Sequence, residues 1–196
     1  MRNVYAAIAI ASVAGLASGQ VYFSDLEANN GGWAGSGDWQ WGMPIGFAGA
    51  FASTEPFGGF SGDNVWGTVL GGNHSASTTS SLTQTINVAG FTELSFNFYE
   101  WSDSGGNTFD TAKVFVNGVE VYLSDGNSND AWRLVSLDLS AFDGSASLDI
   151  NFEFSTTTVV ERTGWYVDNI AVSGVPTPAS AMLLGLGGLA SARRRR

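Results

Sequence analysis

From Leu148 to Phe154 the chain alternates apolar and polar residues without a break, as Leu-Asp-Ile-Asn-Phe-Glu-Phe. That is the period-two pattern of a strand with one buried and one wet face. Leu94-Ser95-Phe96-Asn97-Phe98 repeats it. Between Val114 and Val121 the alternation is broken by Asn117-Gly118, a pair that accepts the positive φ of a type I′ turn, so a hairpin is predicted there. Further strands are predicted at Trp66 to Leu70, Leu82 to Val88, Arg133 to Leu137 and Trp165 to Val172, with Asp125-Gly126 and Asp143-Gly144 as turns. Away from the chain ends no stretch keeps a helical period. Many short strands of this kind predict an all-β fold, two antiparallel sheets packed face to face as a sandwich, with a jelly roll as the first choice of topology.

The two ends follow a different pattern. Residues 1–19 open with one cation, continue through apolar Val4 to Leu16 and offer Ala17-Ser18-Gly19 as a small-x-small cleavage site, which reads as a secretory signal peptide with a helical apolar core. Residues 20–174 are left for one β-sandwich domain, long enough for a proper core. At the far end Ala179 to Ala192 is small or aliphatic and closes on Arg193, Arg194, Arg195 and Arg196. As a short helix it would span roughly 21 Å, a marginal membrane crossing. Four arginines resist translocation, so the segment is expected to halt an exported chain with its domain outside and its arginines inside.

Val175-Pro176-Thr177-Pro178, the glycine-rich apolar run and the arginine cluster together resemble the PEP-CTERM sorting signal, over residues 175–196. The resemblance implies processing by an exosortase, a membrane transpeptidase that cuts near the Pro-x-Pro. The protein would then be delivered to the cell surface or extracellular matrix, touching the membrane only through this segment before processing. The glutamate usual between the two prolines is Thr177 here.

Composition sharpens this reading. Cysteine is absent, which removes disulfides and thiol chemistry. Between the terminal segments only Lys113, Arg133 and Arg162 stand against all 18 acids, a formal charge of −15. A phosphate backbone is repelled by such a domain, so nucleic acid is excluded as a partner, and counterions are invited.

A second resemblance spans most of residues 20–174. Phe23-x-Asp25-x-Glu27 with Gly32-Trp33, Trp39-Gln40-Trp41-Gly42-Met43-Pro44, Trp66-Gly67-Thr68, Asp110-x-Ala112-x-Val114, Leu137-Asp138-Leu139-Ser140 and Gly164-Trp165-Tyr166-Val167-Asp168-Asn169-Ile170 run in the order seen in MAM-like jelly rolls. The concanavalin-like accessory sandwich of immune-inhibitor-A-type bacterial proteins is similar. Such modules imply a calcium-stabilised sandwich used for adhesion or attachment.

The residues give their own reason to look for a cation. Alternation places Asp168 in phase with Tyr166, Ile170 and Val172, Asp110 with Ala112, Val114 and Val116, and Glu100 with Leu94, Phe96 and Phe98. An ionised carboxylate turned toward a core costs several kcal/mol unless it is paired, neutralised or metal-bound. Calcium, which takes six to eight oxygens, is the expected partner of Glu100, Asp110 and Asp168. The resemblance to the calcium-stabilised jelly rolls implies that Asp25 and Glu27, at the presumed first strand, would join Asp168 where the first and last strands meet. The competing reading is that each acid sits at a strand end, reaching water or capping backbone N–H groups. Asp125-Gly126-Asn127 begins like a calcium loop but has Ser136 at the twelfth position, where an EF-hand carries glutamate, and is better read as a turn.

Trp39 and Trp41, in a glycine-rich, loop-like stretch, are the candidate ligand-binding residues, with extracellular polysaccharide as the expected partner. Filling the space between the sheets is the alternative role for indoles. Catalysis is not expected. His74 is the only histidine, and a glycoside-hydrolysing pair would have to be Glu100 with Asp103 or Asp110. The expected function is a binding or adhesion module, against a structural matrix protein without a defined ligand.

Overall fold

The computed structural model describes residues 18–128 and 130–177. In chain order these form β1 (Gly19–Ser24), β2 (Ala34–Gly35), β3 (Trp39–Gly42), β4 (Val65–Thr68), β5 (Thr79–Asn87), β6 (Phe91–Asp103), β7 (Thr111–Val116), β8 (Val119–Leu123), β9 (Arg133–Asp138), β10 (Ser147–Ser155) and β11 (Gly164–Pro176). Residues 1–17 of the predicted signal segment, and the sorting segment from Pro178 onward with its apolar run and Arg193 to Arg196, lie outside the described residues, while Gly19 opens β1 and Val175 and Pro176 close β11. Among the described residues no helix is long and apolar enough to cross a membrane.

The strands make the predicted two-sheet antiparallel sandwich. One sheet runs β3-β4-β11-β6-β9, with β1 also pairing along β11, and the other runs β2-β5-β10-β7-β8. Alternation explains why the sheets face each other. Leu148, Ile150, Phe152 and Phe154 of β10 are buried while Asp149 between them is exposed. Leu94, Phe96 and Phe98 of β6 turn inward from the opposite sheet. Phe152 sits at the centre, its ring 5.0 Å from Phe98 and 5.4 Å from Trp165, both edge-on. Each such ring contributes about 1.5–3 kcal/mol by leaving water. The predicted hairpin is present between β7 and β8, with φ of 50° at Asn117 and 78° at Gly118.

Two expectations change. The stretch around Trp39 is not a loop: Trp39 to Gly42 pairs with β4, opposing Trp39 to Thr68 and Trp41 to Trp66. The alternation of β11 also breaks. Its pairing with β6 shifts between Asp168 and Ala171, and Asn169 adopts a φ of 47°. One extra residue there is a β-bulge, which turns every following side chain to the opposite face. Trp165 and Val167 before the bulge, and Ile170 and Val172 after it, all belong to the core. Asp168 therefore lies on the outer face of its sheet with Tyr166, not in phase with Ile170 and Val172.

That outer face is covered. The connection from β3 to β4, residues 43–64, crosses it: the Trp101 indole N–H donates to Thr54 O at 2.8 Å, and Phe60 stacks on Tyr99 with centroids 3.4 Å apart. Inside the connection the Glu55 carboxylate accepts from the backbone N–H groups of Ile45, Phe47 and Gly71 at 2.8–3.1 Å, a buried clasp that fixes its path. The five-stranded sheet keeps an open outer face.

Candidate functional site

The bulge at Asn169 and the 43–64 connection meet at one corner, and that corner brings Glu27 and Asp168 together. Asp168 is fully buried. Its Oδ2 accepts from Ser61 N at 3.0 Å and its Oδ1 from Asn169 N at 2.6 Å. Glu27, on the exposed turn after β1, reaches the same connection, its Oε1 accepting from Asp63 N at 3.0 Å and Asn64 N at 2.7 Å. Burial pushes the Asp168 carboxyl up to about 6; backbone N–H groups of Ser61, Asn169 and Phe60 oppose that shift, and the Glu27 charge adds to it. Among the described residues no basic side chain relieves this pair. Lys113 is bound to Glu120, Arg133 to Glu100 and Asp125, and Arg162 to Asp103.

The space beside Gly59 tests whether a cation fits. A side-chain carbon at Gly59 would stand 2.6 Å from Ser61 O, 2.8 Å from Asp168 Oδ2 and 3.2 Å from Asn64 O. The point itself lies one bond length from the Gly59 Cα and holds no ion, but it shows Ser61 O, Asn64 O and Asp168 Oδ2 converging beside Gly59, oxygens of the kind a hard cation takes. Asp168 with these two carbonyls, and Glu27 from the neighbouring turn, are the residues that would hold such a cation. A bound ion there would neutralise the two carboxylates and tie the connection to β1 and β11.

The other acids named as ligands do not join them, and among the described residues no three His, Cys, Asp or Glu side chains converge. Asp25 is exposed and caps the turn, accepting from Glu27 N at 3.2 Å. Glu100 faces the core as expected, but protein groups satisfy it. Arg133, its cross-strand partner on β9, donates to Oε1 through Nε at 2.9 Å and Nη2 at 2.6 Å, the Tyr122 hydroxyl donates at 2.5 Å, and the Trp165 indole N–H donates to Oε2 at 2.9 Å. Asp125 holds the far side of Arg133 with two contacts of 2.7 Å and is the largest cause of its raised guanidinium pKa. Asp110 is also fully buried; its Oδ1 accepts from Thr157 N at 2.9 Å and its Oδ2 lies 3.2 Å from His74 Nε2. Arg133, distant in sequence from Glu100, thus does for it what a cation was expected to do, whereas His74 Nε2 accepts from Arg162 N at 3.0 Å and only packs beside Asp110, whose Oδ2 has no hydrogen-bond partner among the described residues.

The same positions bear on hydrolysis. On β6, Glu100 points into the core while Asp103 lies on the covered face, where it accepts from Thr54 N and Arg162. The two are on opposite sides of one sheet.

Of the two candidate contact residues, Trp39 is in the core, 5% exposed and packed against Phe152 and Trp165. Trp41 is 39% exposed, with its indole N–H tied to Leu26 O at 3.0 Å.

A feature not singled out from the sequence lies on the open face of the five-stranded sheet. A groove of about 710 Å³ is lined by Thr83, Thr85, Phe115, Asp149, Asn151 and Glu153 among others. Its floor is one row of the sheet, since Phe115 opposes Asn151 and Asn151 opposes Thr83. The signal was present in the polar half of the alternation, where Asp149, Asn151 and Glu153 are the residues that β10 turns outward.

No family model matches the chain. It is 30% identical over 162 residues to Bacillopeptidase F of Bacillus subtilis (strain 168), an alignment covering 78% of this chain and 10% of that protein. The chain thus spans about a tenth of the length of that curated relative. Among solved structures it is similar to the CBM22-1-GH10 modules of the Clostridium thermocellum endo-1,4-β-D-xylanase 10B complexed with xylohexaose, at a TM-score of 0.50 and 15% identity, covering 79% of this chain and 28% of that one. It is also similar to the carbohydrate-binding module CBM6cm-2 of Cellvibrio mixtus lichenase 5A in complex with cellotriose, at 0.45 and 11%, covering 80% and 98%. The likeness to the xylanase modules shows the fold.

Proposed function

We propose that this protein is a non-catalytic binding or adhesion module that holds extracellular polysaccharide in the groove across its five-stranded sheet. The observation that carries the reading is the asymmetry of the sandwich. One outer face is roofed by residues 43–64, and the other is left open with a polar trough containing one aromatic ring. Carboxylate and amide groups hydrogen-bond sugar hydroxyls, and an aromatic face takes the apolar side of a pyranose ring. Alignment with only a tenth of Bacillopeptidase F fits a module of a kind that also occurs inside a much longer chain. In this reading calcium at Glu27 and Asp168 stabilises the domain. The signal peptide exports it, and the PEP-CTERM-like tail passes it through an exosortase to the surface or matrix.

Affinity electrophoresis of the purified chain through gels containing neutral β-glucans or xylans tests this. Saturable retardation is expected, and Phe115→Ala is expected to weaken it about tenfold while leaving the melting curve near that of the parent, the scale of one lost ring contact. Unretarded migration in every polysaccharide would favour a structural matrix component, and shortened glycans would show hydrolysis.

A further inference from the structure

We infer that the groove prefers amino glycans, sugar polymers carrying free primary ammonium groups, over neutral glycans of the same length and rejects acidic ones. This rests on the groove being the glycan site.

Most donors along the groove are already spent within the protein. The Thr85 hydroxyl donates to Asp149 Oδ1 at 2.7 Å and the Thr83 hydroxyl to Ala34 O at 3.4 Å. Lys113 is the nearest cation on this face, directly opposite Glu153 in the register of β7 and β10. Its ammonium instead binds Glu120 at 2.7 Å. What remains unsatisfied is mostly acceptor. The Glu153 carboxylate has no hydrogen bond or ion pair among the described residues, Asn151 Oδ1 is buried without a partner, and Asp149 has its second oxygen free. The Asn151 amide N–H₂ is the donor left over. Between them stands the Phe115 ring, whose face attracts cations.

A ligand that satisfies this set must bring donors and positive charge. A hydroxyl meets part of the requirement; a sugar ammonium meets all of it, with three donors and a charge opposite to Glu153 and Asp149. A uronate or sulfate would place its anion against two carboxylates, on a domain whose three bases are all engaged. Asp149 and Glu153 are four residues apart on one strand, about 13 Å, so an extended polymer reaches both and a monosaccharide does not.

Titration calorimetry of the full chain with four hexasaccharides decides the matter: β-1,4-linked glucosamine, its N-acetylated form, cellohexaose and oligogalacturonate, below the pKa of the sugar amine. The glucosamine hexamer is expected to bind about tenfold tighter than the two neutral hexamers, the worth of one charge-assisted contact. That preference is expected to shrink with added salt and to vanish in Glu153→Gln, while oligogalacturonate gives no heat. Equal binding of the amine and neutral hexamers, all lost in Phe115→Ala, overturns the preference and leaves the groove as the site. A preference untouched by both Glu153→Gln and Phe115→Ala reflects the general negative charge of the domain and overturns it as well. No binding by any hexamer removes the groove reading and this inference together.

Discussion

Replacing Glu100 by Leu is expected to cost about 3–5 kcal/mol of folding stability, the range for breaking a buried ion pair from one side. Such a loss would lower the melting temperature by about 6–20 °C in a domain of this size. Glu100 is fully buried and is the common acceptor for Arg133, Tyr122 and Trp165. Those three groups come from β9, β8 and β11, so the carboxylate links strands of both sheets. Removing it leaves an indole N–H and a phenol without acceptors and Arg133 with Asp125 alone. Burial, the largest cause of the raised Tyr122 pKa, persists when the Glu100 charge that adds to it is removed, and it opposes compensation by an ionised phenol. Adding Arg133→Met to Glu100→Leu is expected to restore part of the loss, because two apolar groups pack where one orphaned charge does not. Urea unfolding of the parent, both single variants and the double variant measures the coupling. A loss under about 1 kcal/mol for Glu100→Leu would mean that water already screens the network.

The second large effect concerns calcium. Adding it to chelator-treated protein is expected to raise the melting temperature by about 10 °C at a thousandfold excess over Kd, the result of roughly 4 kcal/mol of linked binding. The pH dependence supplies an internal check. Without the ion, the folded Asp168 carboxyl titrates at about 6, above its ordinary value of 3.8. The folded state then holds more protons than the unfolded state between those values, so Asp168 makes stability fall as pH rises from about 4 to 6. Chelated Asp168→Asn should therefore lack that decline with pH, although its amide nitrogen cannot replace the second oxygen that accepts from Ser61 N or Asn169 N. Calcium is expected to raise the melting temperature of this variant less than that of the parent, because the amide is a poorer ligand than the carboxylate. Gly59→Ala, which sets a methyl group among Ser61 O, Asn64 O and Asp168 Oδ2, is expected to abolish the calcium shift. An unchanged melt in the parent on calcium addition would leave Asp168 as a buried acid capping the Ser61 and Asn169 N–H groups, with no metal role.

Residues that follow a local rule were legible in the sequence. Strict alternation in Leu148 to Phe154 placed β10 and its buried face, and Asn117-Gly118 located the hairpin of β7 and β8, because both depend on neighbours in the chain. The inward acids were recognised as needing partners, and for Glu100 and Asp110 the need was real. Their surroundings were hidden, since Arg133 reaches Glu100 through strand register, and Thr157 N and the His74 ring reach Asp110 through loop packing. Asp168 was misplaced for a different reason. A single extra residue at Asn169 inverts the face of all that follows, and nothing in Tyr-Val-Asp-Asn-Ile-Ala-Val marks where it falls. Trp39 read as exposed because glycines surround it, yet those glycines let the chain bring the indole against Phe152. The groove went unnoticed because no single residue announces it; it is a surface made by three strands side by side.

The pairing of β1 with β11 begins with Gly19 opposite Gly174. The chain therefore enters and leaves the sandwich side by side, at the same end of one two-strand ladder. Tension applied through the flanking segments would open that ladder from its tip, breaking its bonds in succession and not all at once. A domain pulled in this way yields at low force, and a force-extension trace should show early release of β1 ahead of the remaining sandwich.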